Sequence, residues 1–328
     1  MSISWKINSA EISKSLIQDF LDNHPDSSFF QSESFFELYR KNNFQPLNLI
    51  GISDNKVVAY CNVLVLKENY GIISGLTSRA IIWGGPLALD NFLFEQTLIE
   101  LKNILNKKAI YLQIRNLTNQ TSQQKKILLK NGFEYHEHFT VINSLNSDLM
   151  SGYHSGRRKN IRRALKSDLN FKLLTQENEV EKAGDFIVQT YKELKLPCPT
   201  IDFFKDAVFF EAIKIFGVFQ DSRMISCRFC LTQKNILYDW YAGSDKLSSN
   251  LYPNDFIVHK ILEWGYENGY RIFDFGGAGN NKAEYGVRDF KLKFGGELVE
   301  FGRNEIVFQS FKFKIGKLGF QILKKFRK

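Results

Sequence analysis

The chain repeats itself, and that self-similarity restricts it to an architecture built from two copies of one unit. In the first half, Leu49-Ile50-Gly51-Ile52 leads through Asp54-Asn55-Lys56 into Val57-Val58-Ala59. In the second, Ile215-Phe216-Gly217-Val218 leads through Asp221-Ser222-Arg223 into Met224-Ile225-Ser226. Each reads as strand, polar turn, strand, which is an antiparallel hairpin. A helix-period stretch over 92–108 and a strand over 109–115 are then matched by a helix over 255–269 and a strand over 270–275. Each half closes with a short basic helix, a glycine and a strand, at 125–138 and 287–301. Gly132 and Gly295 are therefore expected to be the left-handed residues that end those helices. Gly132 follows Gly51 by 81 residues and Gly295 follows Gly217 by 78, so the two units have nearly equal length.

Size agrees with this division: 328 residues suit two ordinary α/β domains rather than one. A 44% hydrophobic and 24% charged composition supports a sizeable buried core. No segment approaches the ~20 apolar residues of a spanning helix, and the start, MSISWKINSAEISKS, lacks the apolar stretch of a secretory signal. Cys61, Cys198, Cys227 and Cys230 are scattered, and the last two sit three apart in an apparent strand, where side chains alternate between faces. Reduced thiols in a reducing, cytoplasmic compartment are the expectation. His136 and His138 alternate onto one strand face, yet no third ligand stands at a metal spacing, so no metal is expected. The net charge of +9 is local: seven of the nine charges lie in 311–328, at Lys312, Lys314, Lys317, Lys324, Lys325, Arg327 and Lys328, with no acid among them. That field is expected to belong to a basic helix that packs back on the first domain, with contact to an anionic membrane as the other reading.

Antiparallel strands, a helix, a strand and a closing helix-glycine-strand follow the element order of a GNAT acyltransferase. The expected fold is mixed α/β with two tandem GNAT-like domains, at 1–148 and 149–310, and the basic helix at 311–328. The joining segment 147–168 is polar and then basic. Five stretches also resemble the FemABX aminoacyltransferase family. These are FFQSESFFELYRK (29–41), WGGPLALD (83–90), GRRKNIRRALKSD (156–168), YDWYAGSDK (238–246) and FDFGGAGNNKAEYGVRDFKLKFGGE (273–297). The resemblance covers about residues 27–300. It is to the shorter members, because 170–214 leaves no room for the helical arm that some members carry in the second domain.

The resemblance implies peptidoglycan chemistry: transfer of an aminoacyl group from aminoacyl-tRNA to an amine of a nucleotide- or lipid-linked cell-wall precursor, with no resident cofactor. Such a site must take a proton from the amine, hold the donor and stabilise negative charge on the carbonyl oxygen. Lys291, in Phe290-Lys291-x-x-Phe294-Gly295-Gly296, takes the family's lysine position and is expected to supply the electrostatic term; read alone, it is a surface lysine on a short helix. Asp274, at a strand end, is expected to orient Lys291 or the amine; read alone, it caps the Gly276-Gly277 turn.

Strand alternation puts Tyr238 and Trp240 on one face and Asp239 and Tyr241 on the other, and the resemblance places Tyr241, with Tyr238 beside it, in the acceptor cleft. Arg157, Arg158, Arg162, Arg163 and Lys166 are read as a cationic helix face. Arg157 or Arg162 there, Arg288, or Arg40 and Lys41 in the first domain, are candidates for gripping a diphosphate. Acetyl-CoA enzymes of this fold carry a [QR]-x-x-G-x-[GA] loop whose amides hold the pyrophosphate, and neither GGPLALDN (84–91) nor AGSDKLSSNLYPN (242–254) matches it. Two other readings stay open. One is an N-acyltransferase using acyl-CoA or an acyl-carrier thioester on an amino sugar of a surface polysaccharide; the other is a non-catalytic binding protein.

Overall fold

The computed structural model describes residues 3–8, 11–42, 44–67, 77–280 and 286–326, with side chains through Gly319. The chain forms two units: Met1–Glu137 with Phe301–Lys328, and His138–Glu300. In the first unit, β1 (Ser4–Ile7) precedes α1 (Lys14–Asn23) and α2 (Glu33–Lys41). Each helix starts under a serine whose hydroxyl accepts a backbone N–H, Ser13 from Ser15 and Ser32 from Phe35. β2 (Gln45–Ser53) and β3 (Lys56–Leu66) form the expected hairpin, turning on Asp54 and Asn55, whose φ angles of 49° and 60° fit a two-residue turn.

The chain continues through β4 (Arg79–Trp83), β5 (Leu87–Ala88), α3 (Asn91–Leu105), β6 (Tyr111–Arg115), α4 (Ser122–Lys130) and β7 (Glu134–His136). β4 and β6 pair in parallel from Arg79 with Tyr111 to Trp83 with Arg115, which requires a crossover. That crossover is α3, whose Phe94, Leu98, Leu101 and Leu105 pack with Leu49, Val63 and Leu112 of the sheet. Gly132 ends α4 with φ of 86°, the left-handed conformation expected for it.

A side chain completes this sheet. β3 pairs with β4 through Leu64–Leu66 and with β5 through Ala59 and Tyr60, leaving the middle of β3 open where the chain passes the cis Gly85–Pro86 bond. The fully buried Gln31 fills that gap. Its Oε1 accepts from Asn62 N at 2.7 Å and its Nε2 donates to the Trp83 carbonyl at 2.7 Å, so one carboxamide replaces a missing peptide unit.

The second unit runs β8 (Phe139–Ser144), α5 (Leu149–Gly152), α6 (Ser155–Ala164), β9 (Leu169–Leu173), α7 (Glu177–Glu193), α8 (Ile201–Asp206), β10 (Ile213–Gln220), β11 (Arg223–Gln233) and β12 (Ile236–Ser244). It closes with α9 (Pro253–Glu267), β13 (Ile272–Gly277), α10 (Gly286–Leu292) and β14 (Glu297–Glu300). The sheet order is β14-β8-β13-β12-β11-β10-β9. β12 and β13 pair in parallel, with α9 as their crossover, and Phe256, Ile257, Val258, Ile261 and Leu262 of α9 share a core with Phe216, Phe273, Phe275 and Phe294. Gly295, at φ of 78°, passes so close to Gly152 that an added Cβ would lie 2.5 Å from its carbonyl oxygen.

The chain then returns to the first unit with β15 (Arg303–Val307) and α11 (Ser310–Phe326). β15 is inserted between β6 and β7 of the first sheet, antiparallel to both. β8 is likewise inserted between β14 and β13 of the second. The unit limits therefore fall at 137/138 and 300/301 rather than at 148 and 310, because alternation marks a strand without naming its partner. The start of α11 rests on β6, with the Phe313 and Tyr111 rings 5.2 Å apart. Arg327 and Lys328, and the side chains from Phe320 on, lie outside the described residues. No helix among the described residues is long and apolar enough to cross a membrane. All four cysteines are free, and burial raises their thiol pKa values, Cys198 to about 11.

Candidate active site

In the second unit the parallel ladder stops early. Ile236, Leu237 and Tyr238 pair with Ile272, Phe273 and Asp274, and beyond that point β12 and β13 part company. On its other side β12 carries a bulge: Phe229 faces Tyr241 and Cys230 faces Asp239, so Trp240 is the extra residue. A bulge breaks the simple alternation that the sequence suggests. Trp240 and Tyr241 both turn toward α8, Trp240 to the Phe203 ring at 5.5 Å and Tyr241 to Phe204 at 5.1 Å. Tyr241 also meets Tyr191 of α7 at 5.7 Å. Tyr238 lies at the parting itself, its hydroxyl against the backbone of Gly276.

Lys291 and Asp274 converge on the same strand end. The Lys291 ammonium donates to the carbonyls of Phe275 at 2.6 Å, Gly276 at 3.2 Å and Gly277 at 2.8 Å. Its three hydrogens are thereby committed to backbone, so this is no surface lysine. Burial lowers its pKa to about 8, opposed by Asp239. Asp274 Oδ1 accepts from Thr140 Oγ1 at 2.6 Å and from Gly276 N at 2.7 Å, which caps the glycine turn. Burial raises its pKa to about 6, although both hydrogen bonds pull the other way. The turn at 275–277 is thus gripped on its carbonyl side by a cation and on its amide side by a carboxylate. Residues 281–285 of the motif that contains this turn lie outside the described residues.

Two buried ion pairs stand behind this turn. Arg228 pairs with Asp239 and reaches Asn254 Oδ1 at 2.8 Å. Arg157 pairs with Asp255, donates to the Phe290 carbonyl at 3.2 Å and lies over the Phe290 and Phe294 rings at 4.3 and 4.4 Å. Burial, with Arg228 adding to it, lowers the Arg157 pKa to about 10. The second Asp239 oxygen, Oδ1, is buried without a hydrogen-bond partner. Such a group costs about 1–3 kcal/mol when left unmatched, which marks Asp239 as a site residue that sequence reading passed over. It is an acid in an otherwise aromatic strand; its register partner is Cys230, and Arg228 reaches it only through the side chain.

The other candidates are placed differently. The basic stretch of α6 is not one cationic face: Arg157 points into the core, Arg158 donates to the Tyr153 carbonyl, Arg163 reaches the Tyr252 hydroxyl at 2.9 Å, and Arg162 is exposed. Period alone could not show this, because helical neighbours one apart look in different directions. Arg288 donates to the Asn280 carbonyl at 2.7 Å. Arg40 pairs with Glu37 on the exposed face of α2, and Lys41 is also exposed; both belong to the first unit. Among the described residues no cluster of three His, Cys, Asp or Glu could hold a metal.

The two crossover helices start differently. Asp90 caps α3 by accepting from Leu93 N at 2.8 Å. α9 opens with Pro253, which has no N–H, and the Asp255 and Phe256 amides both donate to the Tyr252 carbonyl. Free amides at these helix starts are what would seat a pyrophosphate, and here Asp90 occupies one at α3 while Pro253 removes one from α9. The first unit also holds a cavity of about 760 Å³ whose lining includes Asp19, Asp26 and Asp54 against Lys56, with Asn116 and Gln120. Its charge disfavours phosphate too.

Comparison with known proteins bears on the fold. Residues 155–291 match the family described as acetyltransferase (GNAT) domain. FemX has a similar structure, with a TM-score of 0.74 at 14% identity over 96% of this chain and 99% of that one. The C-terminal domain of a putative lysylphosphatidylglycerol synthetase from Agrobacterium fabrum gives 0.60 at 13%, over 94% and 96%. A tandem GNAT protein from the clavulanic acid biosynthesis pathway gives 0.56 at 8%, over 94% and 99%. No curated protein matches in sequence. With parallel strands parting over a buried lysine and carboxylate, and a GNAT domain matched across them, the chain is an acyltransferase of two GNAT-like domains with the FemX fold.

Proposed function

We propose that the chain transfers an aminoacyl group from aminoacyl-tRNA to an amine of a nucleotide- or lipid-linked cell-wall precursor, in the cytoplasm where charged tRNA is found. The observation that carries the donor half of this reading is the state of the two helix starts: the Asp90 carboxylate occupies an amide of α3, and Pro253 leaves α9 one amide short of what an acyl-CoA pyrophosphate would use. An ester donor on RNA makes no such demand. The likeness to FemX in fold supports the acceptor half. In this reading Asp274, with its pKa near 6, takes the proton of the attacking amine. Lys291 fixes the 275–277 carbonyls and places a positive charge beside the developing oxyanion. Tyr238, at the parting of the strands, lines the approach to both.

A second reading is favoured by the matched acetyltransferase domain: an N-acyltransferase that takes acyl-CoA or a carrier thioester to an amino sugar. Charged tRNA and acyl-CoA, offered separately with muropeptide and amino-sugar acceptors, separate the two by intact mass. Amide product with charged tRNA is expected. Product with acyl-CoA alone would transfer the conclusion to the second reading.

A further inference from the structure

We propose that α11 is an interfacial helix that docks the protein on an anionic phospholipid bilayer. One side of it is already in use, since Phe313 stacks edge-on against Tyr111 of β6. The opposite side is not. Phe311, Ile315 and Leu318 are 78%, 40% and 59% exposed. At 3.6 residues per turn, these positions share an arc of about 60°. Lys312 and Lys314, both exposed, project about 40–60° outside that arc on either side, and Lys317 follows on the Lys314 side. An apolar stripe bordered by lysines lies with its stripe among acyl chains and its ammonium groups among headgroup phosphates.

Charge selects the occupant. Residues 311–328 carry seven cationic side chains and no acid. A second copy of the same helix would bring like charge against like charge. A nucleic acid would satisfy the lysines and leave the phenylalanine, isoleucine and leucine in water. A bilayer containing anionic lipid satisfies both halves of the pattern at once, with each lysine near the surface adding to the attraction.

The test uses the full chain, co-sedimented with phosphatidylcholine vesicles and with vesicles of about one-third phosphatidylglycerol. Binding is expected to the anionic vesicles and to fall as salt shortens the range of the attraction. The combined substitution Phe311→Ser, Ile315→Ser, Leu318→Ser is expected to weaken partition at least about tenfold. Lys312→Gln, Lys314→Gln, Lys317→Gln should do the same, and neither set should shift the melting temperature, because these side chains face solvent. Wild-type chain that stays in the supernatant overturns the proposal. So does equal sedimentation of wild type and the serine variant. A concentration-dependent dimer abolished by the serine set would assign the stripe to a second copy instead. Retention of tRNA that depends on the three lysines, without vesicle binding, would assign the helix to RNA.

Discussion

The Lys291 ammonium and the Gly277 carbonyl lie 2.8 Å apart, and with Phe275 and Gly276 they join α10 to the end of β13. The lysine is therefore both a charge near the site and a fastener of the turn that builds it. Replacing it with methionine should remove both functions. Three buried carbonyls would lose their donor, so stability should fall by about 2–4 kcal/mol. The rate of amide formation should fall by at least about 100-fold. Thermal unfolding and single-turnover kinetics measure the two effects, and full turnover in the methionine variant would remove Lys291 from the mechanism.

The pH profile has two limbs. Asp274 must be ionised to accept a proton and Lys291 must be protonated to carry charge, with pKa values near 6 and 8. The rate kcat/KM should rise through about 6, fall through about 8, and lose its acidic limb in Asp274→Asn. Stability has its own signs. The folded pKa of Asp274 lies above the unfolded value of 3.8, so its contribution is fully present below that value and is lost as pH rises through about 6. Lys291 is depressed, so the cost of burying its charge is relieved as pH rises from about 8 toward 10. Denaturant midpoints across pH for wild type and Asp274→Asn check the first of these; identical slopes between pH 4 and 6 would count against it.

Arg157 and Asp255 should behave as one buried unit. Asp255→Asn leaves a guanidinium against two phenyl rings without its counter-charge, and about 3–5 kcal/mol of stability should be lost. The paired change Arg157→Met, Asp255→Leu should recover part of that loss. A double-mutant cycle by chemical denaturation reads the coupling, and simple additivity would show that the pair is not a unit.

Gln31→Leu should uncouple the middle of the first sheet. The Asn62 N–H and the Trp83 carbonyl would both be left buried and unpaired, at a cost of about 2–4 kcal/mol. Amide exchange at Asn62 is the direct measurement: protection lost in the variant is expected, and unchanged protection would mean that another group fills the gap.

Much of the fold was legible in the sequence because it was written twice. The two hairpins, the crossovers α3 and α9 and the left-handed Gly132 and Gly295 all follow from spacing, polar turns and periodicity. The sheet to which β8 and β15 belong did not follow, since hydrophobic alternation is the same whichever neighbour a strand takes. At the site, Lys291 and Asp274 were found by resemblance to a motif. Asp239 was missed because its partner Arg228 lies on a separate strand and its importance is an unpaired oxygen, which no local pattern announces. Arg157 was read as part of a cationic helix face that could grip a diphosphate and is a buried cation, because composition gives the charge of a helix and not the direction of each side chain.

Insertion of the second unit within the chain of the first has a consequence for synthesis. His138–Glu300 is contiguous, so all its strands have been translated once Glu300 is made. The first sheet cannot close between β6 and β7 until Val307 has left the ribosome, after every strand of the other unit. Domains usually finish in the order in which they are made; here the half begun first completes after the other, and the open edges of β6 and β7 await a partner until β15 emerges.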